Sequence, residues 1–534
     1  MGPIQPVRSK PPASDVSATV GWSGVAGLAM WILICHFWPD LAAYFGATRP
    51  VGRLSGPYAA LTGLVAAAGP MIVVSLVKDK VHRRPSTGID WGHARPVSAI
   101  IDVSITKLAG LWATWAVIGG LYCLARWYWD GPYLLAMDVL GMVAVPLFLL
   151  SIPYVIWLDR VLVDPRDGAW HFGALLIGRE PCDQAQVRRH ARAWAVKGFF
   201  TAFMISIVPG GFGLLVEPDW APILGNPVQL AAMLTTAMFV IDAQIGTVGY
   251  ILTFRPLDAQ IRSANPLLAG WLAALVCYPP FQLMQTGGPL FYQTNTAGWG
   301  YWLAGHTGLL WAWAALLIGL TAIYAWATVA FGLRFSNLTY RGVLTNGPYR
   351  FTKHPAYLAK NTFWWLESLP FLVVSHSVTD MVRNAFFLAC VSAIYFWRAK
   401  TEEAHLLAED PKYRAYADWM AQHGLVTRLF HRSGQALRAR RLVLQPAEYL
   451  KRFAALRSKA GDLAIEQAQT SPFCDPALHV RRLEMRGQMR AAFPNLADSD
   501  QARFKQVFGI VVFDAASLGP AGLHHRNHQR PRRR

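Results

Sequence analysis

Apolar residues along this chain fall into long blocks separated by short polar loops, and many blocks approach the roughly 20 residues a helix needs to cross a bilayer. Such runs lie near 18–38, 57–77, 107–129, 134–158, 197–216, 227–253, 267–288, 307–332, 361–378 and 381–398. The pattern predicts an all-α, polytopic helical membrane protein with about ten transmembrane helices. The first run follows a Pro-rich leader whose only basic residues are Arg8 and Lys10, and it is long enough to span. It is therefore expected to stay as the first helix, not to be cleaved as a signal peptide.

Loop charges predict orientation, because short loops rich in Lys and Arg stay on the cytoplasmic side. The loop after the second run holds Lys78, Lys80, Arg83, Arg84 and Arg95, and the loop after the fourth holds Arg160, Arg166, Arg179, Arg188, Arg189 and Arg192. The loops near 217–226 and 289–306 hold no Lys or Arg. Both termini and the segment Gly347–Tyr357 are thus expected in the cytoplasm, with a bacterial inner membrane as the expected setting.

Composition agrees with the pattern: 54% of the 534 residues are hydrophobic, 15% are charged and 13% are aromatic. Rings at that frequency suit the belts that form where helices leave a membrane. The six cysteines (35, 123, 182, 277, 390, 474) are scattered and form no CxxC pair. Neither a disulfide framework nor a metal site is expected from them.

Three regions follow. Residues 1–300 form a seven-span bundle of unassigned role, 301–430 a three-span unit, and 431–534 a basic tail. The tail holds 19 Lys and Arg against 8 Asp and Glu, a net +11 of the chain's +19. Its most regular stretch, Pro446 to Gln469, places Leu450, Phe453, Leu456 and Leu463 near helical spacing among Lys451, Arg452, Arg457 and Lys459. That pattern fits a basic amphipathic helix on an anionic leaflet, and equally a solvated helix whose charge obeys the orientation rule. The terminal run from His524 to Arg534 is too short and isolated to argue for nucleic-acid binding.

Two polar clusters carry the candidate chemistry. The first is Gly347-Pro348-Tyr349-Arg350-Phe351-Thr352-Lys353-His354-Pro355-Ala356-Tyr357, placed between two apolar runs. Gly347-Pro348 predicts a turn, and the proline after His354 keeps that residue out of a helix. Tyr349, Arg350, Lys353, His354 and Tyr357 then converge at one rim, where they suit an anion or a polar cofactor. The second cluster follows the last run: Arg398-Ala399-Lys400-Thr401-Glu402-Glu403, then Asp410-Pro411-Lys412-Tyr413-Arg414-Ala415-Tyr416. Arg398 and Glu402 stand one helical turn apart and can pair. Asp410-Pro411 predicts an N-cap and a first-turn proline, with Tyr413, Tyr416 and Met420 on one side of the helix that follows. Asp242 and Glu367 lie inside apolar runs, where an acid is a functional candidate.

The order Gly-Pro-Tyr-Arg-Phe-x-Lys-His-Pro-x-Tyr, a membrane hairpin, Arg-x-x-x-Glu-Glu and a closing Tyr-x-x-Tyr resembles the isoprenylcysteine carboxyl methyltransferase family and its phospholipid methyltransferase relatives. The resemblance covers about 100 residues, Arg334 to about Phe430. It implies an integral membrane enzyme that takes S-adenosylmethionine and methylates a lipid or lipidated acceptor. The cofactor contacts it implies are Tyr349, His354, Pro355, Tyr357, Glu402, Glu403, Tyr413 and Tyr416. The catalytic candidates are Arg350, His354 and Glu403: Arg350, or Lys353, would orient a carboxylate acceptor, and Glu403 or His354 would deprotonate an amine or thiol. Lys353 stands where the family usually has Arg, and Asp410-Pro411 replaces its usual Phe-Gly.

Two other readings are carried. Sterol-reductase-like proteins resemble the same three-span unit and would bind NADPH there, yet their Asn-Tyr-x-Gly-Asp stretch is replaced here by Pro355-Ala356-Tyr357-Leu358-Ala359. A transporter or assembly protein would show broken helices in two related halves. Pro70, Pro146 and Pro209-Gly210-Gly211 mark bends, without visible symmetry.

Overall fold

The computed structural model describes residues 10–425 and 427, apart from 50 and 179. The amphipathic stretch of the tail and its basic end lie outside the described residues. Long helices follow the apolar runs: α1 (Ala18–His36), α2 (Pro57–Val73, continued by a π turn over Val74–Lys78), α3 (Ile101–Leu124) and α4 (Tyr133–Val161). The short α5 (Gly168–Ile177) precedes α6 (Gln184–Ile207) and α7 (Pro227–Ile251). After these come α8 (Leu268–Leu275), α9 (Thr307–Phe331), α10 (Pro355–Ser368), α11 (Val378–Glu409) and α12 (Pro411–His423). Among the described residues, eight helices are long and apolar enough to cross a membrane. The protein is an all-α polytopic membrane protein.

Two of the ten expected runs are not spanning helices. In 267–288 the helix stops at Leu275, just before Pro279-Pro280. In 361–378 it stops at Ser368, because Leu369 takes a left-handed conformation (φ 42°) and Pro370 follows. Proline cannot continue a helix, since it lacks the N–H and its ring meets the preceding turn. Hydropathy registers only apolar content, so both runs look like spans to it. Irregular backbone at membrane depth requires protein cover. Here Cys277 and Tyr292 are buried against Leu388, Val391 and Tyr395 of α11.

The core draws on helices from across the chain. Val20 and Leu28 of α1, Met71 of α2, Ile245 and Val248 of α7 and Val329 of α9 form one buried cluster. Close approach of backbones depends on small residues, as between membrane helices generally. A Cβ on Gly110 of α3 would collide with the Ala169 carbonyl of α5, and one on Gly173 of α5 with the Thr106 carbonyl of α3. On the periphery, α4 turns Met142, Val145, Leu147, Phe148, Leu149 and Leu150 outward.

A two-stranded antiparallel pairing, β1 (Ser263–Ala264) with β2 (Thr339–Tyr340), ties the segment after α7 to the segment after α9. Arg341 locks that junction. Its guanidinium donates to the carbonyls of Ala259, Gly249, Phe335, Leu252 and Leu333. Burial, then the neighbouring Arg334 cation, pulls Arg341 down to about 9 from its ordinary value. The N-terminal segment straps the same junction. Asp15 N–H donates to Val343 O (2.9 Å), Val343 N–H donates to Asp15 Oδ2 (2.7 Å), and Thr345 Oγ1 donates to Pro12 O (2.7 Å).

Candidate functional site

Local sequence places each arm of the site. Gly347 adopts φ +55°, a left-handed value that opens the turn into Pro348 and Tyr349. His354 is the N-cap of α10 with φ −130° and ψ 59°, because Pro355 excludes the helical conformation from the residue before it. Pro355 itself suits the first helical position, where an N–H would have no intrahelical partner. On the other arm, α11 has 32 residues, about 48 Å of helix at 1.5 Å per residue. That exceeds a hydrocarbon core of about 30 Å, so its last turns can carry Arg398, Glu402 and Glu403 toward the rim. Asp410 caps α12 by accepting from Lys412 N–H at 2.7 Å.

The α10 and α11 arms meet. Glu403 Oε1 lies 2.8 Å from His354 Nε2 and 2.7 Å from Lys353 Nζ, and its Oε2 lies 3.3 Å from Lys400 Nζ. Tyr357 donates its hydroxyl to Glu402 Oε1 at 2.5 Å, and the buried Arg398 reaches the same oxygen at 3.3 Å. The His354 and Tyr357 rings stack at 5.8 Å with an interplanar angle of 10°. Roofing the junction, Tyr413, Tyr416 and Met420 of α12 are buried, and Tyr416 donates its hydroxyl to Tyr349 O at 2.8 Å. Burial pushes the phenols of Tyr349, Tyr413 and Tyr416 above their ordinary value, so they remain neutral donors near neutrality.

These residues surround a cavity of about 180 Å³. Of the expected site residues, Tyr349, His354, Tyr357, Glu402, Tyr413 and Tyr416 line it. Three do not. Arg350 is exposed and outside the lining, Pro355 is buried at the helix start, and Glu403 stands behind the wall, bonded to the lining residues Lys353 and His354. As Glu403 is held by Lys353, Lys400 and His354, it buttresses the site and has no free oxygen to act as a base on a ligand.

The wall also contains residues outside the two motifs. Arg334, Arg341, Lys360 and Arg398 supply positive charge, while Tyr278, Tyr324, Thr328 and Asn337 supply polar groups. Most of that charge is committed. Arg334 pairs with Asp258 at 2.5 Å, Arg398 pairs with Glu402 and bonds Asn337 Oδ1 at 2.6 Å, and Arg341 is spent on carbonyls. Lys360 differs: its Nζ sits among rings, 5.1 Å from the centroids of Tyr324 and Trp364 and 5.9 Å from that of Tyr395. Its position three residues past Tyr357 put it within reach of the same wall, a signal present in the sequence. Arg334 and Arg341 gave no such signal, since a basic residue beside a span is what the orientation rule expects. Glu367, the other acid inside an apolar run, is not among the lining residues. No protein-family model matches the chain, and no curated protein and no solved structure matches it.

Proposed function

We propose that the protein is an integral membrane methyltransferase that takes S-adenosylmethionine at the α10–α11 junction and methylates an apolar or lipidated acceptor. The observation that carries this reading is the convergence of His354 and Tyr357 from one motif and Glu402 from the other on one cavity. The family resemblance joins those two motifs, and the geometry gives them a common ligand space. S-adenosylmethionine would bring an activated methyl group on a sulfonium.

The chain's own residues would do the positioning. Glu402 is the carboxylate of the wall suited to an ammonium, and the Tyr349, Tyr357 and Tyr413 rings are the flat surfaces suited to a base. Methyl transfer requires the nucleophile in line behind the carbon at about 3–3.5 Å, so orientation and exclusion of water are the main contributions of such a site. The cavity is seated at the end of α11 and is roofed by the buried Tyr413 and Tyr416 of α12. On this reading the cofactor would enter from the aqueous side and the acceptor from the bilayer. The cavity's 180 Å³ is below the roughly 300 Å³ at which pockets enclose a drug-sized ligand, so α12 is assigned the role of a lid that moves to admit the cofactor.

The NADPH reading has one observation in its favour, the five basic side chains Arg334, Arg341, Lys353, Lys360 and Arg398 in the lining. Four of them are already held by acids or carbonyls, which leaves little charge for a dinucleotide's phosphates. Thermal-shift measurements on the purified protein with S-adenosylmethionine, S-adenosylhomocysteine and NADPH test the choice. We expect stabilisation by the first two, abolished in His354→Ala; stabilisation by NADPH alone would replace this reading with the reductase one.

A further inference from the structure

One buried acid remains unexplained by the site as described. Asp242, on α7, accepts hydrogen bonds from Tyr324 Oη at 2.7 Å and from Thr328 Oγ1. Both donors belong to α9 and both line the cavity, whereas Asp242 itself stands behind them. Each hydroxyl points its proton toward Asp242, so the lone pairs of its oxygen are left to face the cavity. Lys360 Nζ lies 5.1 Å from the Tyr324 ring on the cavity side. Among the described residues Lys360 makes no ion pair, in contrast to Lys353, Arg334 and Arg398.

A carboxylate reached from a cavity only through hydroxyls is placed to receive a proton and poorly placed to bind a ligand. The other carboxylates of the site are engaged: Glu403 by Lys353, Lys400 and His354, Glu402 by Tyr357 and Arg398. We infer that Asp242 is the proton acceptor of the reaction, reached through Tyr324, and that the acceptor substrate is an apolar molecule whose nucleophile carries an exchangeable proton. That class comprises phenols, thiols and ammonium groups, and it excludes carboxylates, which need no base.

The inference rests on the methyltransferase reading, and its chemistry balances. The substrate's X–H donates to Tyr324 Oη while the Tyr324 proton passes to Asp242 Oδ2. The X lone pair then forms the bond to the methyl carbon, the carbon–sulfur bond breaks, and its electron pair stays on sulfur. One positive charge on the methyl donor and one negative charge on Asp242 disappear together, a change that a site away from water favours. Lys360 supplies the cation beside the nucleophile where this is a phenolate or thiolate. In this scheme Tyr324 touches the substrate, and Asp242 acts through it. The leading bundle thereby gains a chemical role: it brings the acid to the back of the wall.

The test uses the full-length protein in detergent and a 4-nitrophenol carrying an alkyl chain, whose absorbance reports its ionisation, with no methyl donor present. We expect wild type to bind the probe as the phenolate below the probe's own pKa. Asp242→Asn and Tyr324→Phe should bind it as the neutral phenol, and the double variant should match either single one, because the two residues act as a unit. In a second arm, tritium from methyl-labelled S-adenosylmethionine should enter a cellular lipid extract in base-stable linkage, with transfer at least 100-fold slower in Asp242→Asn.

Unaltered phenolate formation in both single variants, no probe binding, or label released by base as from a methyl ester would each overturn the inference. The S-adenosylmethionine thermal shift serves as the separate control. Its persistence in Asp242→Asn shows an intact fold, whereas its absence in wild type removes the methyltransferase reading itself.

Discussion

His354 Nε2 lies 2.8 Å from Oε1 of Glu403, a residue 49 positions further along the chain. Lys353 Nζ lies 2.7 Å from that same oxygen. One carboxylate thus fixes the end of the His-Pro loop to the end of α11, and through that contact sets the width of the cavity between them.

Glu403→Gln keeps the shape of this contact and removes its charge. With both partners mostly buried (side-chain exposure 16% for Lys353 and 11% for Glu403), the loss should be about 1.5–3 kcal/mol, the range for a hydrogen bond to a charged group. A lowered melting temperature together with weaker S-adenosylmethionine binding is the expected outcome. An unchanged melting temperature would show that the loop is held elsewhere.

Arg341→Lys tests the junction behind the site. Lysine has three donors on one atom and cannot reproduce a planar fork that bonds five carbonyls. Several buried carbonyls are then left without partners, and the protein should lose about 2–4 kcal/mol at a cost of about 1–3 kcal/mol for each strongly affected group. Chemical denaturation in mixed micelles gives the measurement.

The N-terminal strap should respond to acid. Burial pushes the Asp15 carboxyl up, but the Lys412 ammonium and the Val343 N–H outweigh it and hold the group below its ordinary value. A carboxylate whose folded-state pKa is depressed adds stability above its unfolded value of about 3.9, and that stability is lost as pH falls through the folded-state value. Asp15→Asn should therefore melt lower than wild type at neutral pH, with the gap closing below the ordinary aspartate range. A gap that persists unchanged into acid would assign the effect to hydrogen bonding alone.

For the lid, Tyr416→Phe removes the hydroxyl that donates to Tyr349 O at 2.8 Å. This should weaken closure by about 0.5–1.5 kcal/mol. Amide exchange over Pro411–His423 should be faster in the variant, and in wild type it should slow when S-adenosylmethionine is added. Exchange that ignores the ligand would argue against a moving α12.

Hydropathy alone revealed the class of this protein, because a helix that meets lipid must be apolar along its whole length, and eight such helices are present among the described residues. The local signals of the site were legible for the same kind of reason. Gly347 before Pro348, Pro355 after His354 and Asp410 before Pro411 each restrict the backbone of their own neighbours, whatever surrounds them. What hydropathy could not separate was a spanning helix from a short helix followed by covered irregular chain, as at 267–288 and 361–378, since both need apolar residues. Arg350 and Glu403 illustrate a second limit. A motif places residues in order along the chain, and the fold then decides which ones face the cavity, stand behind it or turn outward. Arg341 and the pairing of Asp242 with Tyr324 mark a third. Tyr324 lies 82 positions from Asp242, and Ala259, Leu252 and Gly249 lie 82 to 92 positions from Arg341, and only the packing of distant segments brings them within bonding distance.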